Sequence, residues 1–508
     1  MDAAEALRGL PGLALLESAR PGRKARWSFL GADPLAVLEA PAPGHDPFAE
    51  ARRLVARLDA GAPAAVLPEE SAAWDETAAA GAEAARSTLP PFIGGIMGFI
   101  GYDLGHALER LPTIAADDQD LPVLRLALHD WSIAFDRRDG RAWLGGRALD
   151  GDLGRLEQRL AEVRARFASG AGRPVSDRPA HPGPSAFAFR SSLSRIAYEQ
   201  GVEAIRAAIA RGDIYQANLS RRLATPFSGE PWPLYRALRT GDPALFAAYL
   251  DLGRGRAGSD EDRHPAGADA AGPPRAKGLP AGGGLAGPHH GGTDGAGPPR
   301  AIVSASPEPF LSVGPGGRVA TDPIKGTRPR GATPEEDRAL AAELLASAKD
   351  RAENVMIVDV LRNDLGRVCR PGSVRVPRLC RLERTVAVQH LVSTVTGRLA
   401  PGRDAFDLLA ASFPGGSITG APKIRAMEIL ESMEPIRRGP YTGAALWLGP
   451  DGSMASSILI RTFVADGRRL SLHVGGGITW RSDPAEEWDE TVAKARGPLR
   501  AIGGVEIE

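Results

Sequence analysis

The chain has 508 residues, 43% of them hydrophobic and 24% charged, with a formal net charge of zero. It can bury a large core, and neutrality without a basic cluster argues against nucleic acid as a partner. The two cysteines, Cys369 and Cys380, offer neither a disulfide framework nor a metal spacing, and the start Met1-Asp-Ala-Ala-Glu5 lacks the pattern of a signal peptide, so a reduced, cytoplasmic protein is expected.

Residues 1–168 read as a first region of short strands and turns. Arg26–Phe29 and Val123–Phe135 look like strands, with turn signals at Gly31-Ala-Asp-Pro34 and Asp139-Gly140. The apolar stretch Phe92–Leu104 is broken by Gly94, Gly95, Gly98 and Gly101. It is too short to span a bilayer, which needs about 20 apolar residues, so no membrane partner is expected. Residues 169–190 read as a linker around the Gly-, Pro- and Ser-containing stretch Ser169–Ser185. A second region, 191–506, follows. It opens on a helix whose Tyr198, Val202, Ile205 and Ile209 share a face, with Gly212 placed to end it.

Residues 253–300 interrupt this region. Gly, Ala, Pro, Asp and His dominate them, which predicts a disordered surface loop, because few large apolar side chains offset the entropy of folding. The string Ala-Gly-Pro-Pro-Arg-Ala occurs at 271–276 and again at 296–301, which suggests local duplication. His289-His290 reads as part of a solvated tract rather than a metal site. Beyond the loop, Ala301–Ser304 is a strand candidate. Thr333-Pro-Glu-Glu336 and Asp483-Pro-Ala-Glu486 are helix starts, each with an N-cap side chain and proline in the first turn.

Four features could carry chemistry. Lys325, beside Gly326 in Pro323-Ile-Lys-Gly-Thr-Arg-Pro-Arg330 and read as lying in a turn between strand and helix, could lose solvent and a proton and act as a nucleophile or base; a surface lysine in a basic loop has the same spacing. Glu487, Glu490 and Lys494 fall on one face of the last helix, with Trp488 and Val492 on another. Clustered carboxylates suit a hard cation, although the spacing alone favours Glu490–Lys494 pairing on an exposed helix. Asp350 and Glu353 share a face of a second acidic helix whose Met356, Ile357 and Val360 supply its buried side. Glycine-rich Phe413–Lys423 and Val474–Ile478 let backbone N–H groups approach an anion, though neither has the context of a P-loop or dinucleotide turn.

Taken together, these strings resemble the chorismate-binding enzyme family. The resemblance rests on Asp213-Ile-Tyr-Gln-Ala-Asn-Leu-Ser220, Ser304-Ala-Ser-Pro-Glu308, Pro323–Arg330, Glu353–Gly366, Val388-Gln-His-Leu391, Gly416–Lys423, Tyr441-Thr-Gly443 and Gly475–Lys494. It implies an α+β fold of two antiparallel sheets packed together with helices outside, and a Mg²⁺–chorismate site between them. By the same resemblance, Glu353 and Glu490 match the Mg²⁺ ligands, while Tyr441 and Arg461 match a pair that grips the enolpyruvyl carboxylate. Gly326, Thr327, Gly475, Gly476 and Gly477 match backbone and hydroxyl contacts, and His390, Thr419 and Lys494 line the pocket. Glu308 matches a general acid for the C4 hydroxyl.

Within that family Lys325 stands where anthranilate and isochorismate synthases carry alanine and aminodeoxychorismate synthases carry lysine. The resemblance thus implies a lysine nucleophile, ammonia addition at C4 of chorismate, and a place in para-aminobenzoate and folate synthesis. Cys369 and Cys380 lack the glycine elbow of a glutaminase and no lyase-like segment follows residue 505, so ammonia is expected from a separate glutamine amidotransferase subunit. Anthranilate synthase and an inactive tryptophan-binding regulatory subunit are the alternatives. Two departures stand out: Pro309 follows Glu308 where an arginine is usual, and Asp242-Pro-Ala-Leu-Phe246 replaces Asn-Pro-Ala-Pro-Phe. The second affects a tryptophan pocket to which Leu15-Leu-Glu-Ser18, and with it Ser18, Pro243 and Ala244, would belong.

Overall fold

The computed structural model describes residues 1–20, 26–59, 67–69, 90–149, 151–170, 187–255, 297–385 and 388–507. Two sheets, of 13 and 10 strands, carry them. The site-bearing strands are β1 (Gln216–Pro226), β2 (Ile324–Pro329), β3 (Val388–Arg398) and β4 (Arg469–Ile478). In the larger sheet β1 and β4 run side by side, registered from Ala217–Ile478 to Pro226–Arg469. In the smaller, β2 forms the edge against β3. Pairings between strands are antiparallel among the described residues, except that Gly504–Ile507 runs parallel to Phe187–Ser191.

Three helices position the site: α1 (Trp232–Gly241), α2 (Ala348–Gly366) and α3 (Pro484–Ala501). α2 packs on β2 and β3, and α3 on β4. Ser347 caps α2 by accepting from the Asp350 N–H, and Asp483 caps α3 by accepting from those of Ala485 and Glu486. Thr333 caps the helix Pro334–Ala346 as expected, but Glu336 reaches Ala332 N–H instead of closing a capping box on Thr333. A buried cluster of Phe29, Leu250 and Ile302 from the larger sheet with Phe99 and Ala445 from the smaller joins the sheets face to face. No helix among the described residues is long and apolar enough to cross a membrane.

Several expected boundaries move. Val123–Phe135 is two strands, Leu124–His129 in the smaller sheet and Trp131–Asp136 in the larger, with the chain crossing at buried Asp130. Strands from before and after residue 169 share both sheets: Ala14–Glu17 pairs with Phe246–Arg254, and Gly95–Ile100 with Ala444–Leu448. Of the expected linker 169–190, residues 169–170 end a helix and 187–190 begin a strand; 171–186 lie outside the described residues. Gly253, Arg254, Pro299 and Arg300 belong to strands paired through Arg254–Pro299, whereas residues 256–296, including His289-His290, lie outside the described residues.

Candidate active site

Lys325 lies within a strand, not in a turn. The register of β2 against β3 shifts between Lys325 and Thr327, so Gly326 is an extra residue, a β-bulge. Gly326 has φ +82, and a Cβ there would sit 2.9 Å from Asp350 Cβ on α2, so a side chain is excluded twice over. Lys325 Nζ donates to the Ser417 carbonyl at 3.3 Å. A Cβ built on Gly477 would lie 3.6 Å from that same Nζ. The lysine therefore rises from the smaller sheet and reaches β4 of the larger one.

Gly475, Gly476 and Gly477 make β4 bare where other side chains cross it. They pair with Ser220, Leu219 and Asn218 of β1. A Cβ on Gly476 would meet Glu487 Oε2 at 2.8 Å and Glu490 Oε1 at 4.0 Å; one on Gly477 would meet Gln216 Nε2 at 2.8 Å. Any side chain there would displace the polar groups of α3 and β1.

Three carboxylates lie over this floor. Burial pushes Glu353 up, with Asp350 and Glu490 adding to the rise against Lys325 and Lys349. Burial likewise pushes Glu487 up; the Ser482 hydroxyl, 2.6 Å away, opposes and Glu490 adds. For Glu490 desolvation is outweighed by Lys494, with Lys349 and Lys325, so its carboxyl sits below the usual range. Glu490 pairs with Lys494 Nζ at 2.6 Å, and that ammonium also donates to the Gly475 carbonyl at 2.9 Å. The stripe α3 buries runs through Glu487, Thr491, Ala495, Pro498 and Leu499, whereas Trp488 and Val492 are only half-buried. On α2, too, Met356 and Val360 are half-buried while Ile357, Val358 and Leu361 face the core. No three His, Cys, Asp or Glu side chains among the described residues converge as a metal cage.

Glu308 follows the strand Pro299–Ser306 and accepts from the Ser417 hydroxyl at 3.2 Å. Burial raises its pKa against the pull of Lys325, Ser417 and Lys494. His390, opposite Thr327 in the β2–β3 ladder, lies 2.9 Å from the Thr327 hydroxyl through Nδ1. Its pKa falls to about 4 through burial and the charges of Arg461 and Arg20. Tyr441 stacks on His473 at 5.0 Å, and burial pushes its hydroxyl up to about 12. Thr419 is fully buried and its carbonyl accepts from the Asn218 N–H at 2.7 Å, which joins it to β1 beside Gly477.

Two residues in the quoted strings had been given no role. Ser417 touches both Glu308 and Lys325. Gln216 is fully buried beside Gly477, and neither heteroatom of its amide has a hydrogen-bond partner among the described residues. A separate cavity of ≈ 150 Å³ between the sheets is lined by Leu16, Ser18, Trp27, Phe246 and Trp447, among others. Of the two strings expected in a tryptophan pocket, Leu16, Glu17 and Ser18 of the first and Leu245 and Phe246 of the second line it; Pro243 is exposed and Ala244 is packed in the core of the larger sheet.

A family model for chorismate binding enzymes matches residues 34–259 and 296–500. The chain belongs to the chorismate-binding enzyme family and is a chorismate-utilising enzyme. It is 38% identical to aminodeoxychorismate synthase component 1 of Klebsiella aerogenes, over 81% of this chain and 78% of that one. It is 37% identical to anthranilate synthase component 1 of Streptomyces coelicolor, over 86% and 79%. Such near-equal identities do not choose between the two activities. Anthranilate synthase component I from Streptococcus pneumoniae superposes with a TM-score of 0.71 at 28% identity, over 94% of this chain and 93% of that one.

Proposed function

We propose that this chain is the synthase component of an aminodeoxychorismate synthase, placing ammonia on carbon 4 of chorismate. The observation that carries the proposal is Lys325: its amine lies in the cleft between the sheets, beside Gly477 and within the field of half-buried Glu308. As a free amine, Lys325 attacks C2 of chorismate; the ring double bond shifts and the C4–O bond breaks. Glu308, whose burial favours the protonated form, gives its proton to the departing hydroxyl, which leaves as water. Ammonia then attacks C4, the double bond returns, the C2–N bond breaks and Lys325 leaves as the amine. A covalent nucleophile divides one hard displacement into two easier ones.

Tyr441 and Arg461 hold the enolpyruvyl carboxylate in this reading, with Gly326, Thr327, His390, Thr419, the β4 glycines and Lys494 around the ring. Glu353 and Glu490 would hold Mg²⁺: Glu490 is near enough to raise the Glu353 carboxyl, carboxylate oxygens suit a hard cation, and Mg²⁺ commonly takes one or two carboxylates with water and substrate completing the shell. The bound ion would neutralise a substrate carboxylate and polarise the ring. Ammonia comes from a glutamine amidotransferase subunit, a partner consistent with relatives named as component 1. Two buried, unpaired thiols suit a reducing cytoplasm.

The test is mass analysis of products from chorismate, Mg²⁺ and ammonium. Retention of the enolpyruvyl group on an aminated ring is expected. Anthranilate with release of pyruvate would install the other synthase activity instead, and absence of turnover would favour a regulatory subunit.

A further inference from the structure

Asp242 is an unusually placed carboxylate. It follows the last residue of α1, its N–H donating to the Leu238 carbonyl at 2.8 Å, where the helix dipole disfavours negative charge. Its Oδ2 is buried and accepts no hydrogen bond among the described residues. Its Oδ1 lies 3.7 Å from Arg461 Nη1, an ion pair beyond hydrogen-bonding reach. Burial raises its pKa, and Arg461, Arg20 and Arg500 oppose the rise. The space it occupies is left open by α3, where a Cβ on Gly497 would lie 3.5 Å from Asp242 Oδ2.

Arg461 is also under constraint. It has φ +50, a left-handed conformation that non-glycine residues adopt only when the surroundings impose it. Its side chain stays 45% exposed, and its charge depresses His390, which contacts Thr327 in the active site. The guanidinium thus stands at the site with, among the described residues, one loosely held carboxylate as its ion-pair partner.

We propose that Asp242 is a resident competitor for the substrate's carboxylate, occupying Arg461 in the unliganded chain and yielding it when chorismate binds. This rests on the assignment of Arg461 to the enolpyruvyl carboxylate. Exchange is favourable because a free carboxylate can accept two parallel N–H bonds from the guanidinium, whereas Asp242 accepts none. Arg20 and Arg500 remain to balance Asp242 once Arg461 has turned to the substrate. Apparent affinity is lowered by the fraction of time Arg461 is taken, so Asp242 sets the KM for chorismate.

The experiment measures KM from chorismate consumption at saturating Mg²⁺ and ammonium, so either amination product serves. Four full-length chains are compared: unmutated, Asp242→Asn, Arg461→Ala and the double variant. Asp242→Asn should lower KM by about threefold or more, Arg461→Ala should raise it, and the Asp242→Asn effect should vanish without Arg461. A purely structural role for Asp242 would act equally in both backgrounds, and that result overturns the proposal. If Arg461→Ala raises KM but Asp242→Asn does not lower it, the competitor role is wrong while the carboxylate grip stands. If Arg461→Ala leaves KM unchanged, both are wrong. Should Asp242→Asn fail to fold, Asp242→Glu, with a reach long enough to bond Arg461, should raise KM; an unchanged or lower value there refutes the idea.

Discussion

Lys325 and Asp103 show how far one side chain can be argued. Replacing Lys325 by alanine removes the proposed nucleophile but no packed apolar group, and Gly326 keeps the bulge. Amination should fall by more than about tenfold, over roughly 1.4 kcal/mol of barrier, with little change in melting temperature. An unchanged rate of C4 amination would show that the amine is not covalent. Asp103, in the one-turn helix Tyr102–Leu104, accepts from the Gly439 N–H at 3.0 Å. Burial pushes its carboxyl from 3.8 up to about 7, and Arg437 and that hydrogen bond offset this only in part. The folded chain therefore keeps a proton that the unfolded chain has lost, so this group's contribution to stability falls as pH rises from about 4 to about 7. Asp103→Asn keeps an acceptor for Gly439 without the ionisation. It should flatten the decline in melting temperature between about pH 4 and about pH 7, an effect of at most ~4 kcal/mol. The same decline in the variant would place the titrating group elsewhere.

At the scale of an element, α3 carries the proposed metal ligand Glu490 and the buried acid Glu487 one turn apart. Glu490→Gln preserves size and helix propensity but removes an anionic oxygen, so the Mg²⁺ needed for half-maximal activity should rise while the melting temperature barely moves. Glu487 is buried and held by Ser482, so Glu487→Gln should show the reverse balance: a lower melting temperature and a smaller shift in Mg²⁺ requirement. Paired Mg²⁺ titrations and melting curves decide; if Glu490→Gln titrates like the unmutated chain, α3 does not hold the ion. The cap of the same helix gives an independent check. Asp483 accepts from two first-turn N–H groups, and Asp483→Ala should cost about 1 kcal/mol without altering the Mg²⁺ requirement.

Across the whole molecule, the sheets brace the site from both ends of the chain. Phe246–Arg254 and Pro299–Ser306 pair up to Arg254–Pro299, and the Gly255 N–H donates to the Pro298 carbonyl at 3.0 Å. The ends of the intervening segment are thus already fixed side by side. Replacing residues 256–296 by a short glycine-serine turn should leave ammonium-dependent activity intact, since loop length changes closure entropy by only about 0.6 kcal/mol per doubling. A soluble but inactive deletion variant would assign the segment to the site.

Much of this was legible in residue order. The family strings, the N-caps Thr333 and Asp483, and the lysine that marks position 325 are local features, set by side chains within a few residues of one another. What escaped was non-local. A run of alternating apolar residues looks the same whether it stays in one sheet or, as at Asp130, leaves one for the other, because that depends on the strand partners, here Ala36–Leu38 and Gly95–Ile100 on one side of Asp130 and Trp27–Gly31 and Arg141–Gly146 on the other. Glu487 and Glu490 are equivalent by helical spacing, and only packing against β4 buries one and leaves the other beside Lys494. Nothing in the string Tyr-Gln-Ala-Asn signals that Gln216 has an unpaired amide, nor in Asp242-Pro-Ala that this carboxylate meets Arg461. Burial and charge pairing depend on which distant groups share a space, and that is set when the two sheets close on each other.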